Sequence, residues 1–224
     1  MGHNLYGVTA SETAHPHYYY KDCSRCGNHV YTGGHGERPH GDGTGATCKD
    51  CGEHSLYLPD ATAWPSDWHC ACGLWVKPES YSLLDSSEHC LWIHSTSVYN
   101  TYIQNAVNIW NGYIPLLVRF TTDESAVDIY DVVELYSSDH SVRYAGLTYF
   151  VERKIELNME CFEEYIASAN YNKATNVCAH ELAHAMALSH NHTDTTSIIQ
   201  PFATSVITLS DTDKRSISYV LNNY

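Results

Sequence analysis

Positive charge is scarce in this sequence. Twelve Lys and Arg stand against 26 Asp and Glu, a formal net charge of −14 over 224 residues. Such a balance repels polyphosphate, so recognition of nucleic acid through a basic face is disfavoured. No apolar run approaches the roughly 20 residues that cross a bilayer, and no membrane span is expected. The first nine residues offer neither a basic n-region nor an apolar h-region, so no secretory signal is read there. Residues 1–80 hold few Ile, Leu or Val and almost no apolar period long enough for a helix. That stretch cannot hold a core by burial alone, and modules below ~80 residues rely on metals or disulfides.

Cysteine and histidine are abundant, at 9 and 15 residues, and together they raise the expectation of metal sites. Composition changes near Lys77-Pro78-Glu79-Ser80, a Pro-containing polar stretch suited to an extended linker. The expected organisation is a Cys/His-rich module over residues 1–80 and a second domain over residues 85–224. In the second half, apolar spacing predicts a helix over residues 97–110, ended by Asn111-Gly112. Branched and aromatic runs predict strands at 116–122, 127–135, 144–151 and 154–158. A helix follows over 173–189, and a last one starts near Ser210, with Asp213 at its third position. This order is an α+β layout.

The helix over 173–189 carries His180-Glu181-Leu182-Ala183-His184. Two His at i and i+4 project from one face and can hold one Zn²⁺ through ring nitrogens. Glu181 then sits beside the metal without being a ligand, placed to accept a proton from water that the metal activates. The string continues to His190, giving H-E-x-x-H-x-x-A-x-x-H. His190 is the expected third ligand, with His192 as the nearby alternative. Glu181 is the last Glu in the chain, so a third ligand from a downstream Glu is ruled out, while Asp194, Asp211 and Asp213 remain formal candidates.

The string resembles the long zinc signature of the metzincin endopeptidases, with Ala187 where that family has Gly. The likeness is strongest to the matrixin branch. Ser197-Ile198-Ile199-Gln200-Pro201 is similar to the matrixin Met-turn, with Ile199 in place of Met. Residues 209–213 with Ile217 and Tyr219 resemble the closing helix. Residues 144–148 resemble the strand that pairs with extended substrate, and residues 154–158 the strand after it. The resemblance covers about residues 85–224. It implies a twisted, mostly parallel sheet with an antiparallel edge strand, an active-site helix and a C-terminal helix. It also implies a zinc-dependent endopeptidase acting on protein or peptide, with an extracellular setting. Substrate would lie along Gly146, Leu147 and Thr148, and Pro201 and Phe202 would begin a pocket wall running to Ile207. The alternative is a catalytically weak or inactive binding protein on the same scaffold.

In the first module, Cys23-Ser24-Arg25-Cys26-Gly27 and Cys48-Lys49-Asp50-Cys51-Gly52 form two C-x-x-C-G knuckles. Their spacing is close to a zinc ribbon, and Cys23, Cys26, Cys48 and Cys51 are candidate ligands of a structural Zn²⁺. Cys70 and Cys72 form an imperfect third copy that could enter a second site. Disulfides are the alternative in an oxidising compartment. Arg25-Cys26-Gly27 also matches the core of the matrixin cysteine switch, although the knuckle reading is preferred. Cys178 reads as a small buried apolar residue, and Cys90 and Cys161 as a pair that could bridge if oxidised.

Overall fold

The computed structural model describes residues 74–77, 81–138 and 140–224 with their side chains. It also describes strands at 5–10, 18–23, 29–34, 56–57 and 69–70. The chain divides into two compact units, Met1–Ser80 and Tyr81–Asn222. The first contains an antiparallel three-stranded sheet of β1 (Leu5–Ala10), β2 (Tyr18–Cys23) and β3 (His29–Gly34). It also contains the antiparallel pair β4 (Leu56–Tyr57) and β5 (His69–Cys70). Cys23 ends β2 and Cys70 ends β5. The other candidate ligands, Cys26, Cys48, Cys51 and Cys72, lie outside the described residues.

The second unit is a mixed α/β layer structure. Its strands are β6 (Leu91–Ser95), β7 (Val118–Phe120), β8 (Val127–Val132), β9 (Gly146–Tyr149) and β10 (Lys154–Asn158). They form one sheet in the order β7-β6-β8-β10-β9. All neighbours are parallel except β9, which runs antiparallel to β10 and lies at the sheet edge. Alternation along the strands decides the faces. Leu91, Ile93, Val127, Ile129, Ile155 and Leu157 are buried, whereas Trp92, His94, Asp128 and Tyr130 are half-buried.

Four helices complete the unit: α1 (Asn100–Tyr113), α2 (Met159–Ala167), α3 (Tyr171–Ala185) and α4 (Asp211–Asn223). α1 buries Ile103, Ala106, Val107 and Trp110 at helical spacing. Trp110 is fully buried, and its indole N–H donates to the Ala179 carbonyl at 3.0 Å. That bond joins α1 to α3 one residue before His180.

Several boundaries differ from the sequence expectation. α1 starts at Asn100 rather than Ser97 because Asp131 takes the preceding segment. Ser97 Oγ donates to Asp131 Oδ1 at 2.6 Å, and Val98 N to Oδ2 at 2.8 Å. α1 also runs through Asn111-Gly112. The Asn111 side chain does not stop the helix. It brackets β7 instead, donating to Val118 O at 2.9 Å and accepting from Val118 N at 2.8 Å. Strand β6 and helix α2 were not anticipated. β6 is five residues long, and α2 follows β10 with no breaker between them, so neither offers a long periodic signal. The Asn158 side chain caps α2 by accepting from Cys161 N. Strands at 116–122, 127–135 and 144–151 are shorter than expected, and Leu116 sits at φ 63°, outside any strand.

α3 ends at Ala185, four residues before the expected end at Ser189. Ala187 N donates to His184 O at 2.9 Å and Leu188 N to Ala183 O at 2.9 Å, with Ala187 at φ 62°. This is a Schellman closure with alanine in the left-handed position usually held by glycine. Cys90 and Cys161 are free and buried, not bridged.

Candidate metal centre

α3 presents His180 and His184 one turn apart, and the closure at Ala187 turns the chain so that His190 meets them. His180 Nε2 lies 3.2 Å from His190 Nε2, and His184 Nε2 lies 3.1 Å from the same atom. The three ligand atoms fall within 4.8 Å of one another. Three nitrogens held on zinc at 2.0–2.1 Å in tetrahedral geometry lie about 3.3 Å apart, so the spacing fits one metal ion.

The tautomers fit as well. His184 Nδ1 faces Leu188 O at 2.8 Å, and His180 Nδ1 faces Ile198 O at 3.3 Å. A carbonyl only accepts, so each Nδ1 carries the proton and each Nε2 offers a lone pair. Two lone pairs then point at one nitrogen of His190, where a single N–H can serve one of them well. A cation shared by all three satisfies the whole set. His192 is absent from this cluster; its ring centroid is 6.2 Å from that of His190.

The turn beneath His180 is fixed from α4. Asp213 is fully buried and accepts from Ser197 Oγ, from Ile198 N at 3.0 Å and from Ser210 N at 2.9 Å. Burial pushes its carboxyl above the ordinary value, against those donors, which act to lower it. The carbonyl of Ile198 itself, in the next peptide unit, is the group facing His180 Nδ1. Ile199 is fully buried, and its carbonyl accepts from Asn191 N at 2.9 Å. Gln200 is half-buried, as is Pro201, whereas Phe202 is 68% exposed.

Glu181 is buried at the junction of α3 and β9. Thr148 Oγ1 donates to Glu181 Oε2 at 2.8 Å. Gly146 opens β9 directly against the same side chain. A Cβ there would lie 2.8 Å from Glu181 Cγ and 3.0 Å from Oε1. Of the residues expected along the substrate strand, Gly146 and Thr148 therefore face Glu181, while Leu147 alternates to the other face.

Sequence reading located the three His and Glu181 but missed three supporting side chains. The Thr148 hydroxyl was assigned only to a substrate strand. From sequence Asp213 reads only as the third residue of the last helix, yet its capping box turns the carboxylate inward. Asn176 carries no role in the sequence reading, although an amide set among Ala174, Val177, Cys178 and Ala179 is itself a signal. Cys178 is buried on α3, and burial pushes its thiol well up, so it is an inert packing residue. No family model matches this sequence, and no curated protein matches it significantly.

Proposed function

We propose that the second unit is a zinc-dependent endopeptidase domain of matrixin-like type. The observation that carries the reading is the convergence of His180, His184 and His190 beside a buried Glu181 that does not join the ligand set. A peptide main chain pairs with the outer edge of β9, which the sheet leaves as its edge strand. The three His would hold a zinc ion, which would supply Lewis-acid polarisation of the scissile carbonyl and acidification of water. Glu181, with Oε2 held by Thr148, accepts the proton of the attacking water and returns it to the leaving amine. Ala187 takes up the left-handed closure without glycine, and Ile199 fills its buried position, so neither departure from the family pattern removes a part of the site. In the same reading, Cys23, Cys26, Cys48 and Cys51 hold a structural zinc in the first unit.

The test is metal stoichiometry together with chelator-sensitive cleavage of a peptide library. The Glu181→Gln variant is expected to retain the metal and lose activity by about 10²-fold or more. Undiminished cleavage by that variant overturns the mechanism. Metal content above one zinc per reduced chain checks the cysteine site.

A further inference from the structure

The second unit holds a cavity of about 640 Å³ whose wall includes Asp85, Ser87, Trp92, Asp123, Ser125 and Arg153. None of the three His, nor Glu181, lines it. Its volume lies within the range of small-molecule sites. Trp92 stands half-buried on β6, between β7 and β8. On the β7 side its register partner Arg119 lies over the indole, with the guanidinium carbon 5.2 Å from the ring centroid, and is ion-paired with Glu88. On the β8 side the cavity begins, with the small Ala126 next in register. Arg153 sits in the turn between β9 and β10 at φ 53°, a strained position that its surroundings must maintain. Its Nε donates to Ser125 O at 3.3 Å and its Nη2 to Leu83 O at 3.4 Å, both on residues of the wall. These bonds use two of the five guanidinium N–H groups, and among the described residues no carboxylate pairs with it.

The carboxylates of the wall are fixed through one oxygen each. Asp85 Oδ1 accepts from Ser87 N at 2.8 Å, Ser87 Oγ at 2.6 Å and Glu88 N at 3.0 Å, and Asp123 Oδ1 accepts from Ser125 N at 2.9 Å. The second oxygen of each takes no part in these turns and is an acceptor for a ligand. This mixture of charges selects the ligand class. An anion would meet two carboxylates, and a cation would meet the guanidinium. A neutral polyol is served by all three groups, because every hydroxyl both donates and accepts. The indole adds a flat apolar surface that suits the C–H face of a pyranose ring. We propose that this cavity is a binding site for a neutral saccharide, stacked on Trp92 and hydrogen-bonded by Arg153, Asp85 and Asp123. The site is separate from the metal centre and does not depend on the peptidase reading.

The full chain is applied to an array of neutral, sialylated and sulfated glycans. Binding to at least one neutral glycan is expected. Binding to none, or to acidic glycans alone, overturns the proposal. The glycan that binds is then titrated by calorimetry, both as the free saccharide and on a carrier protein. Binding in either form supports the site, and the comparison tells a free sugar from a glycoprotein as its source. Trp92→Ala and Arg153→Gly are each expected to weaken binding at least about tenfold, and Trp92→Phe, which keeps a ring, to weaken it less. Glycine adopts φ 53° without strain, so Arg153→Gly removes the guanidinium while the turn is kept, and it decides the matter if Trp92→Ala does not fold. Unchanged affinity in folded Arg153→Gly places the glycan elsewhere and overturns the assignment.

Discussion

Thr148 Oγ1 lies 2.8 Å from Glu181 Oε2, so an edge-strand hydroxyl holds one oxygen of the carboxylate beside the three His. The same hydroxyl is 3.1 Å from the Glu181 carbonyl, but it has one hydrogen, and the nearer, charged oxygen is the stronger acceptor. Strand and helix are thereby joined through the carboxylate to which the proposed reading gives the proton transfer. A hydrogen bond to a charged group contributes about 1.5–3 kcal/mol. Thr148→Val is therefore expected to lower kcat about 10- to 100-fold with KM and zinc content little changed, and Thr148→Ser to restore most of it. Steady-state kinetics on one library peptide, with metal analysis of each variant, checks this. A Ser variant as impaired as Val would assign the loss to packing.

Gly146 is required by Glu181 from the same strand. A Cβ at this position would stand 2.8 Å from Glu181 Cγ and 3.1 Å from Val177 Cγ1, closer than such atoms settle. Either β9 or the carboxylate must shift. Gly146→Ala is expected to cost about 1–3 kcal/mol of stability by overpacking. It is also expected to reduce activity more than Thr148→Val does, because it displaces the carboxylate rather than freeing it. Urea unfolding and kinetics on the same preparation measure the two effects.

How much of this was legible in the sequence follows from where each signal lies. The His180–His190 string and the Ser210 cap are local, and each lies within one helix end, so spacing alone located them. The outer limits of β10 were also legible, since Ile155 and Leu157 alternate with polar residues over a short run. The start of α1 was not legible, because Asp131, 34 residues beyond Ser97, competes for that segment. Thr148 and Asn176 act on partners 33 and 28–30 residues away in sequence. A one-dimensional pattern carries no information about such partners until the sheet edge and the helix are brought together.

Ala187 offers a test of whether glycine is needed at the end of α3. Relief of the left-handed strain favours Ala187→Gly by about 1–2 kcal/mol. Loss of a fully buried methyl costs about 0.8 kcal/mol, and the added freedom of the unfolded chain costs about 0.5–1 kcal/mol more. The terms nearly cancel, so Ala187→Gly is expected to change stability by less than about 1 kcal/mol and to leave zinc content unchanged. Ala187→Val, β-branched at φ 62°, is expected to destabilise strongly and to lose the metal with the His190 turn. Chemical denaturation of the three proteins distinguishes these outcomes.

Glu156 gives the fold a defined acid sensitivity. It lies 9% exposed on β10, where burial raises its pKa. Hydrogen bonds from Lys154 Nζ at 2.9 Å, Tyr130 OH at 2.7 Å and Tyr149 OH at 3.0 Å outweigh burial and hold it below the ordinary value. A folded pKa below the unfolded one means stability that is present above the unfolded value and lost as pH falls through the folded value. Between about pH 5 and 3 the wild type is therefore expected to lose more thermal stability than Glu156→Gln. Tm measured across that range checks the sign, and parallel curves for the two proteins would remove Glu156 from the account.

Asp213 supports the metal centre at one remove. Its carboxylate, fully buried at the start of α4, fixes Ser197 and the Ile198 amide, and the Ile198 carbonyl faces the His180 ring. Asp213→Ala strands Ser197 Oγ and two backbone N–H groups in the interior, at about 1–3 kcal/mol for each group left unsatisfied. Destabilisation of about 2–4 kcal/mol is expected, within the range of a broken buried network. With Ile198 freed, its carbonyl also ceases to hold His180 in its Nδ1–H tautomer, and outer partners of this kind contribute about 10- to 100-fold to metal affinity. Asp213→Asn keeps one acceptor oxygen and is expected to fall between Ala and wild type in both respects. Zinc competition against a chromogenic chelator, run at a temperature where all three proteins are folded, separates the loss of affinity from the loss of stability. Wild-type zinc affinity in folded Asp213→Ala would break the link from α4 to His180 and leave Asp213 a role in stability alone.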